Sequence, residues 1–341
     1  MGHRCNLVII ENGQTTVYYD HWAANRLDIE LLWGAEIARA FIESREPNPS
    51  CWLDSTWAEG GCIVDYDTKH LLWFGGEASL YEASWNMMHQ YFMNLQWQSW
   101  TVEWAKDGVF DIAKKVGIPI SEVTCNIEPD SEMLFQPYTY EDTFFYANSV
   151  FSFIEHGELH WAILQGESDC LENVELTLEK IVDLVLGFSE SDFERGKVLD
   201  PDWGYYRWGV HLNFDTSSFQ HWNPEPIEGL EARIKKRLPE WSVVFHGPDY
   251  LWHEALVPAK DWPIISQQSK LNQIKSYRDI FSRDNNRKNP IESIIKNMAD
   301  EGATNIQVNP LALEDRKGRQ DLLHAKIDIL DHLEREVRRQ P

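Results

Sequence analysis

Four side chains near the start of the chain are of types that could carry out acid–base or nucleophilic chemistry. His21 follows the first pair of apolar runs, and Glu59 stands immediately before a Gly-Gly pair. Cys5 lies beside the first apolar run, two residues after His3, so a cysteine nucleophile with a histidine base is conceivable. With Asp54 as a second carboxylate, a hydrolase or transferase site would use His21, Glu59 and Asp54.

No established catalytic signature accompanies these residues. The sequence contains no serine hydrolase elbow, no phosphate-binding loop, no dinucleotide-binding fingerprint and no HExxH metal motif. Its five cysteines are odd in number and lack CxxC spacing, so we expect buried thiols rather than disulfides or a zinc site. The sequence therefore predicts neither a cofactor nor a bound metal.

One stretch of the chain occurs twice. Leu53–Glu77 and Leu199–Glu225 both begin Leu-Asp-x-x-Trp and continue with a glycine, a strand, an Asp-Thr turn, a second strand and a glutamate. The repeated acids could form a symmetric carboxylate site between the copies. However, Asp67 and Asp215 lie where a hairpin turn favours aspartate, so we expect these two to be structural.

The repeated Leu-Asp-x-x-Trp segments lie in predicted loops, where binding residues are common. Trp57, Trp203 and Asp200 are therefore candidate binding residues, and Trp22, after the first hairpin, is another. The alternative interpretation is that each segment is a capped turn whose tryptophan fills the core. The same choice, between an aromatic binding face and a bulky core, applies to the sixteen tryptophans as a group.

The repeat extends on both sides of this stretch. In each half the pattern predicts two hairpins, each followed by a helix, and then one further strand, which gives the order ββαββαβ. Asn12-Gly13 between the first two strands is a strong hairpin signal, and His156-Gly157 has the same place in the second half. We therefore expect an α+β fold. It would be a tandem duplication of a ββαββαβ unit, with a mainly antiparallel sheet and helices on one face, followed by a C-terminal helical extension.

These elements divide the chain into four segments. They are the first α+β repeat at 1–117, a connector at 118–147, the second α+β repeat at 148–258 and a helical C-terminal extension at 259–341. The last predicted helix, Asp321–Arg339, carries an apolar stripe interrupted by Glu334. The stripe favours docking of this helix on the rest of the chain, with a homo-oligomer assembled through it as the alternative.

Net charge excludes several classes of partner. The formal charge is -24, and residues 1–258 hold 16 Lys and Arg against 42 Asp and Glu. Such an acidic body repels nucleic acid and anionic lipid and attracts a basic protein. The sequence has no apolar run of about eighteen residues and no apolar secretory segment at its start. We therefore expect a cytoplasmic protein without a nucleic-acid or membrane partner.

Acidity, abundant tryptophan and the lack of catalytic signatures together favour an interaction protein. We expect an acidic intracellular protein-interaction module, for example an inhibitor or immunity-type partner of a basic protein. The alternative is the hydrolase or transferase, with its pocket between the two repeats. The sequence leaves open whether the protein is an enzyme.

Overall fold

The computed structural model describes residues 3–48, 52–123, 136–137, 147–166, 206–227, 229–258, 262–286, 298 and 319–340. The chain divides into two compact units, Met1–Ile264 and Ile265–Pro341. Both β-sheets belong to the first unit. In the described part of the chain, each helix is too short or too polar to cross a membrane.

The first half of the chain forms a five-stranded sheet in the order β2-β1-β3-β4-β5. Its strands are β1 (Cys5–Glu11), β2 (Gln14–Asp20), β3 (Gly60–Asp65), β4 (His70–Phe74) and β5 (Thr101–Trp104). Its helices are α1 (Leu27–Leu31), α2 (Ala35–Glu43), α3 (Glu77–Tyr81), α4 (Ala83–Gln96) and α5 (Val109–Val116), with 3-10 turns at Ala23–Arg26 and Ile120–Glu122. The inner strands β1 and β3 are mostly or wholly buried, which explains why they read as nearly continuous apolar runs.

The second half forms a sheet in the order β11-β10-β9-β7-β8-β6. Its strands are β6 (Gln136–Pro137), β7 (Ala147–Glu155), β8 (Glu158–Gly166), β9 (Tyr206–Asn213), β10 (Ser218–Trp222) and β11 (Ser242–Phe245), and its described helices are α6 (Leu230–Arg237) and α7 (Leu251–Glu254). Apart from the short β6, the strand order is that of the first sheet. In both sheets two antiparallel hairpins are joined in parallel, and a last strand is added in parallel. An α+β fold with two repeat-like units is confirmed, and its sheets are mixed.

The same contact between consecutive hairpins occurs in each sheet. The Asn12-Gly13 turn has φ angles of 54° and 71°, so both of its backbone N–H groups are available to a neighbour. Asp67 accepts a hydrogen bond from each of them, both at 2.7 Å. In the second sheet Asp215 accepts hydrogen bonds from the His156-Gly157 turn, at 2.9 and 2.8 Å. Both carboxylates therefore have a structural role in turns.

Removal of either carboxylate is expected to loosen the hairpin turn that it holds. Asp67→Ala and Asp215→Ala each remove two hydrogen bonds to a charged acceptor. Because both side chains are exposed, we expect each change to lower the free energy of unfolding by about 1–2 kcal/mol. Asp67→Asn keeps one acceptor oxygen and should cost less. Denaturant titration measures the three variants, and wild-type stability of Asp67→Ala would contradict this role.

Helices cover both faces of each sheet, which differs from the one-face arrangement expected from the sequence. The ring centroids of Trp73 in β4 and His89 in α4 are 5.6 Å apart, so α4 lies on the face to which Trp73 points. A side chain at Gly61 would instead meet Ile112 of α5. Trp73 pairs with Cys62, the neighbour of Gly61, and neighbouring strand residues face opposite sides. α6 and α7 divide the faces of the second sheet in the same way. Strands that are apolar throughout, such as β3, need cover on both faces.

The described part of the C-terminal unit consists mainly of α8 (Gln267–Asn286) and α9 (Arg319–Arg339), which pack on each other. Their buried side chains include Ile274, Tyr277, Leu330, Leu333 and Val337. Arg278 of α8 lies 2.7 Å from Asp331 and 3.0 Å from Glu334 of α9. The glutamate that interrupts the apolar stripe therefore forms an ion pair with the helix on which the stripe packs.

Candidate functional site

Several candidate residues meet at one edge of the first sheet. β1 and β3 run parallel, so their starts lie side by side, and β2 ends beside the start of β1. The backbone pairing continues beyond the strands: His3 N–H donates to His21 O at 2.9 Å, and Glu59 N–H donates to Arg4 O at 3.0 Å. The sequence-predicted residues His21 and Glu59 therefore lie on either side of the His3-Arg4 segment.

Two exposed tryptophans lie beside this segment. The exposed fractions of Trp22 and Trp57 are 57% and 51%. The Trp22 ring centroid is 5.1 Å from that of His21 and 6.3 Å from that of His3. The guanidinium carbon of Arg4 is 4.4 Å from the Trp57 ring centroid. We name this region the Trp22–Trp57 surface, made of His3, Arg4, His21, Trp22, Trp57 and Glu59.

Glu59 is the carboxylate of the Trp22–Trp57 surface. Its Oε2 accepts the Arg4 backbone N–H at 3.0 Å and lies 3.5 Å from His3 Nδ1. The Nδ1 of His21 instead lies 2.8 Å from the hydroxyl of Tyr19. Among the described residues, no hydrogen bond or ion pair links His21 to Glu59. The two sequence-predicted catalytic residues therefore share a surface without contacting each other.

A third exposed aromatic residue, Tyr81, is influenced by Glu59 and by a carboxylate of the second half of the chain. Tyr81, at the end of α3, is 44% exposed, and the Arg207 guanidinium carbon lies 4.8 Å from its ring centroid. Burial raises the pKa of the Tyr81 hydroxyl, and nearby carboxylates raise it further. These carboxylates belong to Glu225, Glu77 and Glu59. Acidic groups from both repeat-like units therefore act on this ring.

The remaining sequence-predicted residues have other positions. Asp54 Oδ1 accepts the backbone N–H two residues later at 3.0 Å, which forms a capped turn. Trp57, at the end of that turn, is half exposed and therefore does not fill the core. Cys5 is fully buried, and burial raises the pKa of its thiol well above the usual value, so the reactive thiolate is disfavoured. Asp200 and Trp203 lie outside the described residues.

The second sheet contains a buried polar cluster that the sequence interpretation missed. Ser152 Oγ lies 2.8 Å from His211 Nδ1 and 2.7 Å from His253 Nε2. On the far side of its ring, His253 Nδ1 accepts Trp222 Nε1–H at 3.0 Å. All four side chains are buried. We name Ser152, His211, Trp222 and His253 the histidine relay.

The direction of each hydrogen bond in the histidine relay is fixed by its indole end. An indole N–H can only donate, so Nδ1 of His253 is an acceptor and its ring proton is on Nε2. That N–H donates to Ser152, whose own hydroxyl proton is left for Nδ1 of His211. Burial lowers the pKa of His211 to about 4 and that of His253 to about 3, so both rings are neutral near pH 7.

The first sheet has apolar residues at the corresponding positions. Val8 and Ile63 are paired neighbours in β1 and β3. Ser152 and His211 are the paired neighbours at the same place in β7 and β9. Ile112 of α5 takes the place of His253 of α7. Ile112 lies against Gly61, two residues before Ile63 of β3, and His253 lies against Gly209, two residues before His211 of β9. The signal available in the sequence was a polar residue at positions where the first repeat-like unit has Val or Ile.

Metal binding finds no support at either place. Across the residues that the structure describes, no group of three or more His, Cys, Asp or Glu side chains is placed to hold a metal ion. The histidine relay is enclosed by its own packing, whereas the Trp22–Trp57 surface is open to solvent.

No protein-family model, curated protein or solved structure matches this chain.

Proposed function

We propose that this protein is an acidic interaction module of the cytoplasm that binds a basic protein partner through the Trp22–Trp57 surface. The observation that carries the proposal is the exposure of two tryptophans, 57% and 51%, at one edge of a sheet. Tryptophan, tyrosine and arginine dominate the binding energy of protein interfaces. Single exposed apolar residues are ordinary, but two indoles around a charged segment are typical of an interface.

Charge supports a basic partner. Residues 1–258 carry a formal charge of -26, from 16 Lys and Arg against 42 Asp and Glu. Glu59 lies within the Trp22–Trp57 surface, and further carboxylates surround Tyr81 nearby. An acidic field speeds encounter with a basic protein, and salt weakens that effect. An inhibitor or immunity-type protein is one example of a module that works in this way.

The alternative, a hydrolase or transferase using His21, Glu59 and Asp54, has less support. In the described ranges no hydrogen bond or ion pair joins any two of these side chains. His21 is bonded to Tyr19, and Asp54 caps its own turn. General acid–base catalysis requires side chains that can reach one reacting group together. We therefore prefer the interaction module.

Loss of both exposed tryptophans is expected to weaken partner binding strongly. Truncation of a tryptophan that anchors an interface costs at least about 2 kcal/mol, so Trp22→Ala with Trp57→Ala should weaken binding by about thirtyfold or more. The full chain is immobilised and incubated with lysate at low and raised salt. The captured protein is identified from the wild type and then quantified for the double variant.

The matched control is Leu251→Ala, which removes an apolar side chain that is 42% exposed elsewhere in the same unit. It should leave the captured protein unchanged. Equal capture by the double variant and by the wild type would refute the proposal. Capture that does not weaken with salt would refute the charge-steered part of it.

A further inference from the structure

Arg4 covers the Trp57 ring without being held there by an ion pair. Its guanidinium carbon lies 4.4 Å from the ring centroid. The backbone N–H of Arg4 donates to Glu59, but within the described residues its guanidinium makes no hydrogen bond or ion pair. A cation–π contact at an exposed site is weak, and the five guanidinium N–H donors are left to water. The cover over Trp57 is therefore easily displaced.

Glu59, which binds the backbone of Arg4, has an oxygen that can accept a further hydrogen bond. Its Oε2 is occupied by the Arg4 backbone N–H and lies near His3. Its Oε1 makes no hydrogen bond or ion pair with any residue that the structure describes. The Arg4 segment therefore has an indole face and a negatively charged carboxylate beside it, and both favour a cationic group.

We propose that the Trp57 ring is a binding site for an arginine side chain of the partner, with the Glu59 carboxylate nearby, and that Arg4 occupies this site in the free protein. This inference rests on the proposed function, because it names the residue that the basic partner inserts. The incoming guanidinium stacks on Trp57 in place of Arg4, and the Glu59 carboxylate, which binds the Arg4 backbone, contributes a negative charge to the surroundings of the site. Arg4 moves into solvent and loses no hydrogen bond, because its N–H donors are hydrated in the free protein as well.

Arginine fits this site better than lysine. A guanidinium is planar and weakly hydrated, so it can stack on an indole and donate hydrogen bonds from its edge at the same time. A lysine ammonium is compact and strongly hydrated, and it meets a carboxylate as a point charge. The contact that Arg4 itself makes shows that the Trp57 face accepts a guanidinium.

Because Arg4 competes for the Trp57 face, its removal should raise affinity for an arginine ligand. A ligand that binds only the open site has an apparent dissociation constant raised by the inverse of the open fraction. A cation–π contact of ordinary exposed strength leaves the site open for a minor part of the time. Arg4→Ala is therefore expected to tighten binding about three- to sixfold.

The test uses the full chain and a blocked Gly-Arg-Gly peptide at an ionic strength of about 0.15 M. Labelling tryptophan with 15N gives an indole signal for each ring, and Trp57→Phe identifies the signal of Trp57. We expect this signal to shift saturably with the arginine peptide and not with its citrulline analogue. Arg4→Ala should lower the apparent dissociation constant by the stated factor.

Arg26→Gln is the matched control, because it removes one positive charge from another partly exposed side chain. It should change the peptide affinity by less than about twofold. If the Trp57 signal does not move, or if the two arginine variants have equal effects, the arginine site is wrong. If capture by the Trp22→Ala, Trp57→Ala protein equals wild-type capture, the proposed function itself is wrong.

Discussion

Lowering the pH from 7 to 5 is expected to destabilise this protein strongly. Burial lowers the pKa of His211 to about 4. It lowers the pKa of three other histidines, His89, His221 and His253, to about 3. Histidine in an unfolded chain has a pKa of about 6.5, so the unfolded state binds more protons below that pH. This contribution to stability is complete above pH 6.5 and is lost as the pH falls toward 3.

The expected size of the loss follows from the difference in pKa. A histidine whose pKa falls from 6.5 to about 3 costs about 2 kcal/mol at pH 5. Buried Asp28 opposes this, because burial raises its pKa to about 6 and the folded state binds its proton more tightly. Asp28 recovers about 1 kcal/mol at pH 5. A net loss of about 4–7 kcal/mol is a large part of the usual stability of a domain.

Denaturant titration at pH 7 and pH 5 measures this loss. The triple variant Ser152→Val, His211→Ile, His253→Ile gives the second sheet the residues that the first sheet has at these positions. It should remove about half of the pH-dependent loss, since two of the four histidines are gone. The Trp222 N–H loses its acceptor at both pH values, so only the difference between them is compared. An unchanged difference would contradict neutral, buried histidines in the relay.

Gly209→Ala is expected to disrupt the histidine relay and to destabilise the second sheet by about 2–4 kcal/mol. An added Cβ would lie 2.7 Å from His253 Nδ1 and closer still to the Trp222 indole nitrogen. Overpacking of a core usually costs about 1–3 kcal/mol. Loss of the hydrogen bond from the Trp222 indole N–H to His253 adds the cost of an unsatisfied buried donor.

The matched control for this change is Gly61→Ala at the equivalent position of the first sheet. Its Cβ would lie 2.9 Å from Phe74 Cε1 and 3.4 Å from Ile112, and no side-chain hydrogen bond would be broken. We expect its cost to be the smaller of the two when both are measured by denaturant titration. Equal costs would mean that the relay adds nothing to the steric term.

The local features of the fold were predictable because they depend on a few neighbouring residues. Asn12-Gly13 sets a hairpin turn through its backbone preferences, and Asp67 is of the type that bonds turn backbone. The α+β class followed from the order of such elements. The parallel pairing between hairpins could not be predicted in this way, because the apolar pattern of a strand does not determine which strand it pairs with.

The candidate site was only partly predictable for a related reason. The sequence singled out Trp22, Trp57 and Glu59 but could not show that both indoles are exposed, since tryptophan is common in cores and interfaces alike. Ser152 and His211 lie 59 residues apart and meet only because β7 pairs with β9. Contacts that depend on such pairing are set by tertiary structure rather than by local pattern.

The Asp215 contact with the His156-Gly157 turn also bears on strand registration. A slip of one residue between β7 and β9 would turn every side chain of the shifted strand to the opposite face, and His211 would then leave Ser152. The same slip would carry Asp215 away from the two N–H groups that it binds. The carboxylate at the tip of the sheet thus selects against the misaligned pairing, and so helps to keep the distant relay in alignment.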